Sequence, residues 1–401
     1  MSTEKMEAVI LSAARTAVGR FQGSLKSIPA PRLGATTIQA AIERARIPDL
    51  AEIDEVILGN VIASGEGQAP ARQAAIFGGL PPSVPALTIN KVCGSGLKAV
   101  MLAAQSIRAG DGRLFVAGGM ENMSRAPYLV EARTGALQFG HAQLTDALLL
   151  DGLWDPFENW SMGAAAEFTA QEYGITRQAM DEYALSSHQK AIAAIDQGKF
   201  KSEIVPLEIP GPKGEKFIFD TDEGPRRDTS LEKLAKLKPS FRADGKVTAG
   251  NSPGLNDGAA ALVIASRQWA DRHEIRPLAR ILAYTQAAVE PKHLFDAPAK
   301  ALPALLDQLG WKLGDVDLIE LNEAFAAQML AVGVTMQEIG WDWDKVNVNG
   351  GAIALGHPIG ASGARLLTTL IYALRDRSLK RGVASLCLGG AEAVALAIEI
   401  E

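Results

Sequence analysis

The amino-acid sequence predicts an α/β protein built from two related halves, with a long segment inserted in the first. Short apolar stretches at residues 8–11, 55–58 and 316–321 alternate with amphipathic helical patterns at 36–46, 97–107 and 362–374. That alternation is the one that stacks helices on a sheet. Segments of the first part recur in the same order in the last. Where the later copy runs straight into an apolar strand, the earlier one is interrupted.

The repeat is built from three matches. Ile53-Asp54-Glu55-Val56-Ile57-Leu58 corresponds to Val316-Asp317-Leu318-Ile319-Glu320-Leu321, a separation of 263 residues (317 − 54). Ser95-Gly96 opens a helical pattern as Ser362-Gly363 does, 267 residues on (362 − 95). Leu114-Phe115-Val116-Ala117-Gly118-Gly119 corresponds to Ser385-Leu386-Cys387-Leu388-Gly389-Gly390, at 271 (389 − 118), which sets Cys387 at the position of Val116. One such match is within reach of chance, whereas three in order favour a duplication with short insertions. The apolar run 391–398 then finds its counterpart only at 259–265, so residues 120–258 interrupt the first copy at a turn, where long insertions are tolerated. The insertion carries helical patterns at 164–173 and 181–196, then a Pro-, Gly- and charge-rich piece at 206–228. The predicted division is 1–120 with 250–272 as the first half, 121–249 as the insert, and 273–401 as the second half, each of ordinary domain size.

Composition bounds the function. The 401 residues amount to two or three domain-sized units at ~150 residues each, enough to bury a core without disulfide stapling. Two cysteines, no charged-then-apolar leader and no apolar run of about 18 residues point to a cytoplasmic chain rather than a secreted or membrane-spanning one. Lys and Arg number 40 against 46 Asp and Glu, a formal charge of −6, so the chain lacks the basic excess of a non-specific nucleic-acid binder. Its 39 glycines are above the usual share and bunch at the predicted turns.

Cys93 precedes the amphipathic pattern Leu97, Val100, Met101, Ala104, Ile107, which places it at a helix start where free amides and the helix dipole favour a thiolate. A nucleophile and an inert buried thiol fit this local pattern equally. Gly94-Ser95-Gly96-Leu97-Lys98-Ala99 also satisfies G-x-G-x-x-A. As a dinucleotide fingerprint it is weak, because Asn90 and Lys91 interrupt the preceding strand and Asp111 falls short of the ~20-residue spacing for a ribose ligand. His357 stands between Gly356 and Pro358 in a run too glycine-dense to be helical before Ser362, and is a candidate general base for a thiol. His141, His188, His273 and His293 are scattered, fit surface positions, and imply no metal. Cys387 should end a strand beside the Gly389-Gly390 turn, and a reduced pair with separate tasks suits the two thiols better than a disulfide. Asn322, after the strand 316–321, serves either as a helix cap or as the holder of a water beside a reacting carbonyl.

Together, Val92-Cys93-Gly94-Ser95-Gly96, Asn322-Glu323-Ala324-Phe325, Gly356-His357-Pro358-x-Gly360-x-Ser362-Gly363-x-Arg365 and Cys387-x-Gly389 resemble the thiolase family. The likeness extends from Arg15-Thr16-Ala17-Val18-Gly19 through Thr248-Ala249-Gly250-Asn251 and Leu255-Asn256-Asp257-Gly258 to the last strand. It implies a layered αβαβα core of two similar halves with a loop domain inserted in the first. It also implies reversible Claisen chemistry on coenzyme A thioesters: Cys93 acylated on sulfur, His357 taking its proton, and Cys387 exchanging a proton with the α-carbon of the second acyl-CoA. The amides of Cys93 and Gly389 would form one oxyanion site, and His357 with a water on Asn322 the other. Related ketosynthases usually carry a second His where Cys387 stands. The resemblance sets Met162, Phe241, Ser252 and Phe325 against the substrate and Arg226 at the nucleotide, although Arg226 reads equally well as a surface charge. Coenzyme A is then substrate and product, with no tightly bound cofactor, and the family forms homodimers or homotetramers.

The simplest activity on this reading is acetyl-CoA C-acetyltransferase. A broader 3-ketoacyl-CoA thiolase of fatty-acid metabolism and a non-catalytic thiolase-like coenzyme A binder are the alternatives. Several departures bear on specificity: Pro253 in Asn251-Ser252-Pro253-Gly254, Ser161 before Met162-Gly163, the stretch 291–298 in place of a Met followed by two spaced glycines, and Ala391 where a third glycine is usual.

Overall fold

A computed structural model describes residues 6–133, 139–211 and 215–401. The first half supplies strands β1 (Ala8–Thr16), β2 (Glu55–Gly59), β3 (Ala86–Ile89), β4 (Leu114–Asn122) and β5 (Asn256–Ser266). The second supplies β6 (Ala279–Ala288), β7 (Leu318–Leu321), β8 (Arg381–Leu388) and β9 (Glu392–Ile400). Their order across the sheet is β7-β8-β9-β6-β1-β5-β4-β2-β3. Strands β2, β3 and β4 are parallel to one another, as are β7 and β8, and the remaining pairs on this path are antiparallel. The halves join at β1 and β6 through Val9 opposite Arg280 and Ile10 opposite Ala279.

Duplication is visible in details that chance would not repeat. Asp54 accepts the backbone N–H groups of Arg113 and Leu114, and Asp317 accepts those of Lys380 and Arg381. Each carboxylate thereby fixes where its neighbouring strand begins. A bulge interrupts β1 between Ile10 and Ser12, and another interrupts β6 between Ile281 and Ala283. The third sequence match is corrected by four residues. Phe115 lies opposite Glu55 as Gly382 lies opposite Leu318, so the counterpart of Cys387 is Met120, not Val116. The paired glycines after each strand attracted the match, whereas the ladder sets the register.

Five layers follow from which faces are buried together. Helix α1 (Ala30–Ala45) packs with Val9, Leu11 and Val116 on one face of the first half. Helix α2 (Ser95–Ala109) and helix α7 (Ile359–Asp376) lie between the halves, against Ile10, Phe115 and Ala117 on one side and Ala384 and Leu386 on the other. Helix α5 (Ala297–Leu309) and helix α6 (Ala326–Met336) cover the far face with Val383 and Ala395. This is the αβαβα arrangement the motifs imply. The insertion carries α3 (Met162–Glu172) and α4 (Arg177–Asp196), close to the helices predicted there, with short hairpins such as Leu207–Pro210 with Lys216–Phe219. Part of the charge-rich piece at 206–228 lies outside the described residues. Buried Arg15 on β1 pins the insertion to the core, meeting Glu203 at 2.7 Å and both oxygens of Asp222 at 2.7 and 2.9 Å.

The central helices touch backbone to backbone near their starts. A Cβ on Gly96 would lie 2.8 Å from the Ala364 nitrogen, and one on Gly363 would lie 2.4 Å from the Leu97 nitrogen. Only glycine permits this approach, which brings together the loops preceding the two helices. The helix α7 also begins at Ile359, earlier than its glycine content suggested, and its first turn lies so close to β4 that a Cβ on Gly119 would come within 2.0 Å of the Gly360 carbonyl oxygen. Gly363→Ala is expected to lower stability by about 1–3 kcal/mol, the usual range for overpacking a tight contact, read as a lower urea midpoint than wild type. An unchanged midpoint would show that the helices separate without loss.

Candidate active site

Cys93 occupies the turn between β3 and α2. The residue before it, Val92, has φ +45°, a region β-branched side chains rarely enter, so the turn is strained at the point that aims the thiol. Ser95 braces it: its hydroxyl donates to the Val92 carbonyl at 2.7 Å and accepts the Lys91 N–H at 2.8 Å. The sequence placed this thiol correctly at a helix start but expected a thiolate. Burial instead pushes the Cys93 thiol up to about 12, opposed by N–H donation from Gly389 and from its own amide, while Glu121 nearby raises it further. The helix end supplies a fraction of a charge, and desolvation at the floor of a cavity outweighs it.

His357 is almost fully buried. Its backbone N–H donates to Asn256 Oδ1 at 2.9 Å, while Asn256 Nδ2 donates to the Gly19 carbonyl at 2.9 Å, so the loop is tied to β5 and to the β1 region. Gly356 has φ +109°, and a Cβ there would strike the Asn256 amide at 2.6 Å. The ring tautomer follows from hydroxyl bookkeeping. The single Ser362 proton goes to the Pro358 carbonyl at 2.9 Å, leaving Ser362 Oγ to accept from His357 Nδ1 at 2.6 Å. Nε2 therefore carries the free lone pair, 3.4 Å from Asn322 Nδ2. Burial, with the Arg365 charge behind it, lowers His357 to about 3, so the imidazole is a neutral acceptor at physiological pH.

Asn322 is not a helix cap, since α6 begins at Ala326 with Phe325 in the cap position. Its Oδ1 is buried with no protein partner, which leaves a place for a water hydrogen. Cys387 ends β8, buried, with its thiol raised by desolvation and by the neighbouring Cys93. Both cysteines are free. Gly389 lies in the turn that follows, at hydrogen-bond reach of Cys93.

One cavity collects most of the predicted residues: Cys93 and His357 with Met162, Phe241, Ser252 and Phe325. Cys387 abuts it, sharing an apolar cluster with Met162, Phe325 and Phe295. Phe241 lies over Gly163, where a Cβ would meet the ring at 2.2 Å. Arg226 lines an adjoining cavity that shares Ser252 and Pro253 with the first. His188 corrects the surface assignment. It is 4% exposed, accepts the Arg226 N–H at 3.2 Å, and burial together with the Arg226 and Arg20 charges lowers it to about 4. The second glycine of the G-x-G-x-x-A string, Gly96, is consumed by the contact with α7, which removes the dinucleotide reading. Among the described residues no group of three or more His, Cys, Asp or Glu could hold a metal, and no helix is long and apolar enough to cross a membrane.

Three contributors were given no role in the site from the sequence: Asn256 and Ser362, which stood only within motifs, and Glu121. Buried Glu121 accepts the N–H groups of Val61, Ile62 and Gly360, joining the end of β4 to the start of α7. Burial raises its carboxyl to about 7 against those three donors. The only sequence signal for it was a carboxylate ending an otherwise apolar run.

Fold and site thus define an acyl-transfer type of protein: a thiol and a neutral imidazole lining one apolar cavity, amide donors, and a second thiol packed beside it. The chain belongs to the thiolase family. It matches the family descriptions "Thiolase, N-terminal domain" over residues 8–268 and "Thiolase, C-terminal domain" over residues 275–400. It is 56% identical over 393 residues to an acetyl-CoA acetyltransferase of Pseudomonas aeruginosa, covering 98% of this chain and 99% of that one. To an acetyl-CoA acetyltransferase of Cupriavidus necator it is 54% identical over 394 residues, again covering 98% and 99%. The crystal structure of the Bacillus anthracis acetyl-CoA acetyltransferase superimposes with a TM-score of 0.95 at 44% identity, covering 100% of both chains.

The neutral pair predicts the pH behaviour of Cys93 in the free protein. Because its thiol is raised and His357 cannot hold the proton at rest, alkylation by iodoacetamide should climb about tenfold per pH unit from pH 6 to 9 without levelling. A plateau below pH 8 would reveal a thiolate–imidazolium pair instead.

Proposed function

We propose that this thiolase catalyses the reversible Claisen condensation of two acyl-CoA molecules, most simply two acetyl-CoA to acetoacetyl-CoA and coenzyme A. The observation that carries the reading is the single cavity lined by Cys93 and His357, with Cys387 packed beside it against the cavity residues Met162, Phe295 and Phe325. The names of the relatives support acetyl-CoA as the substrate.

In the first half-reaction Cys93 sulfur attacks the thioester carbonyl while its proton passes to His357 Nε2. The tetrahedral oxyanion is met by the amides of Cys93 and Gly389, and on collapse Cys387 gives its proton to the departing coenzyme A sulfur, which leaves Cys387 as a thiolate and His357 protonated on Nε2. In the second, the Cys387 thiolate so formed removes a proton from the α-carbon of another acyl-CoA. The enolate oxygen accepts from the protonated His357 Nε2 and from a water on Asn322, the α-carbon attacks the S-acyl carbonyl, and the released Cys93 sulfur takes its proton back from His357. Burial suits Cys387 to this step, because a thiolate of raised pKa is a stronger base.

Substrate contacts are assigned to Met162, Phe241, Ser252 and Phe325 on the cavity wall, with Arg226 at the phosphate end in the adjoining cavity. The insert at 121–249 would then be the coenzyme A-binding loop domain between the halves at 1–120 plus 250–272 and 273–401. Coenzyme A is substrate and product and not a resident cofactor. A homo-oligomer, dimer or tetramer, is supported by the edge strand β3, whose Leu87 is 42% exposed. A cytoplasmic setting and a part in fatty-acid metabolism complete the proposal.

Acetyl-CoA labelled in the acetyl group should leave label on Cys93 of the wild type and none on Cys93→Ala. Cys387→Ala should still acquire the label while condensation falls by about two to four orders of magnitude, the contribution of a positioned acid–base group. Equal loss of both steps in Cys387→Ala would remove the division of labour, and an unlabelled, folded wild type would remove the activity.

A further inference from the structure

Three aromatic rings run inward along one wall of the cavity. Phe241 at the mouth is 43% exposed, Phe325 is half-buried, and Phe295 at the inner end is 2% exposed. Phe325 meets Phe241 edge-on at 6.4 Å and Phe295 at 5.5 Å between ring centres. Phe295 packs in one apolar cluster with Cys387 and Ala391. Its turn is held on two sides, since the His293 ring lies 3.4 Å from the Asp296 carboxylate and edge-on to Phe168 at 5.6 Å. The ring itself is buried, packed against Phe325 and among Leu294, Cys387 and Ala391.

Ala391 is unusual in its backbone. It sits at φ +61° after Gly390 at φ +81°, a conformation that glycine adopts freely and alanine resists. Its methyl group is nevertheless retained, buried in the same cluster as the Phe295 ring, and its carbonyl accepts the Val289 N–H at 2.9 Å, tying the two segments together. Phe295 lines the cavity that holds Cys93 and packs with Cys387 and Ala391, so an acyl chain extending beyond a carbonyl attacked by Cys93, with its carbon 2 served by Cys387, would run against this cluster.

We propose that Phe295 and Ala391 form the closed end of the acyl pocket and restrict the enzyme to short, unbranched acyl groups. The inference rests on the thioester reading of the cavity given above. It is tested by kcat/KM for thiolysis of acetoacetyl-CoA and of 3-ketohexanoyl-CoA in the full-length wild type, Phe295→Ala and Ala391→Gly. Wild type should prefer acetoacetyl-CoA. Phe295→Ala should shift the ratio toward 3-ketohexanoyl-CoA by about tenfold or more, the scale on which apolar pockets discriminate methylenes, and Ala391→Gly should shift it severalfold. Ala391→Gly relieves backbone strain and so folds, and it decides the matter together with Phe295→Leu should Phe295→Ala not fold. Active variants with the wild-type ratio, or a wild type as fast on both substrates, overturn the pocket assignment while leaving the thiolase reading intact. A folded wild type inert on both substrates overturns that reading and this inference with it.

Discussion

The contact on which the site depends is the glycine crossing of α2 and α7. Gly96 against Ala364 and Leu97 against Gly363 are related by the same pseudo-twofold that relates the halves, so the helices meet symmetrically, close to both of their starts. Two consequences follow from that one geometry. The residues just before the helices, Cys93 and His357, are brought to a common cavity although they are far apart in the chain. The positive ends of both helix dipoles also converge there, and helix starts with unpaired amides are where negative charge is best received. A scaffold that gathers two helix starts is suited to thioester chemistry, in which charge appears on an oxygen and must be met by groups already in place.

Electrostatics of the resting site are dominated by burial. Both thiols are raised and the histidine is lowered, so three groups that could carry charge are neutral before substrate arrives. The neutral state has a structural basis in the hydroxyl of Ser362, which keeps a proton on Nδ1 and leaves Nε2 open. Charge then appears only as bonds change. The one charged chain close behind the histidine, Arg365, is itself buried 3.8 Å from Glu320, and its effect on His357 is in the same direction as desolvation.

Much of this was legible in the sequence, and for identifiable reasons. The duplication showed because Asp54 and Asp317 perform the same backbone capping, a role that fixes residue type and spacing together. Cys93, His357 and Cys387 stood out because their glycine-rich settings are unlike core or helix patterns, whereas Met162, Phe241, Ser252 and Phe325 came only through the family resemblance. What failed depended on contacts between distant segments. The four-residue slip at Cys387 arose because paired glycines follow both strands, and only cross-strand pairing distinguishes them. His188 looked like a surface residue because nothing local announces that Arg226 will fold over it. Asn256 acts on a backbone N–H 101 positions away, and the thiolate expected of Cys93 was a local inference overruled by tertiary burial.

The symmetric scaffold is put to asymmetric use. Ser95 and Ser362 occupy equivalent positions at the starts of α2 and α7, and each donates its hydroxyl back to the loop before its helix. In the first half the serine then accepts a backbone N–H, that of Lys91, and so stiffens the turn bearing the nucleophile. In the second half it accepts from an imidazole instead, and the same brace selects the tautomer of the base. Met120 and Cys387 diverge in the same way at equivalent strand positions. Met120 fills the core against Gly34, whereas Cys387 supplies a thiol to the apolar cluster that adjoins the cavity. Each chemical group therefore arises by changing the side chain on a position whose backbone the duplication had already placed, and the strain at Val92 and Ala391 marks where that placement was then refined.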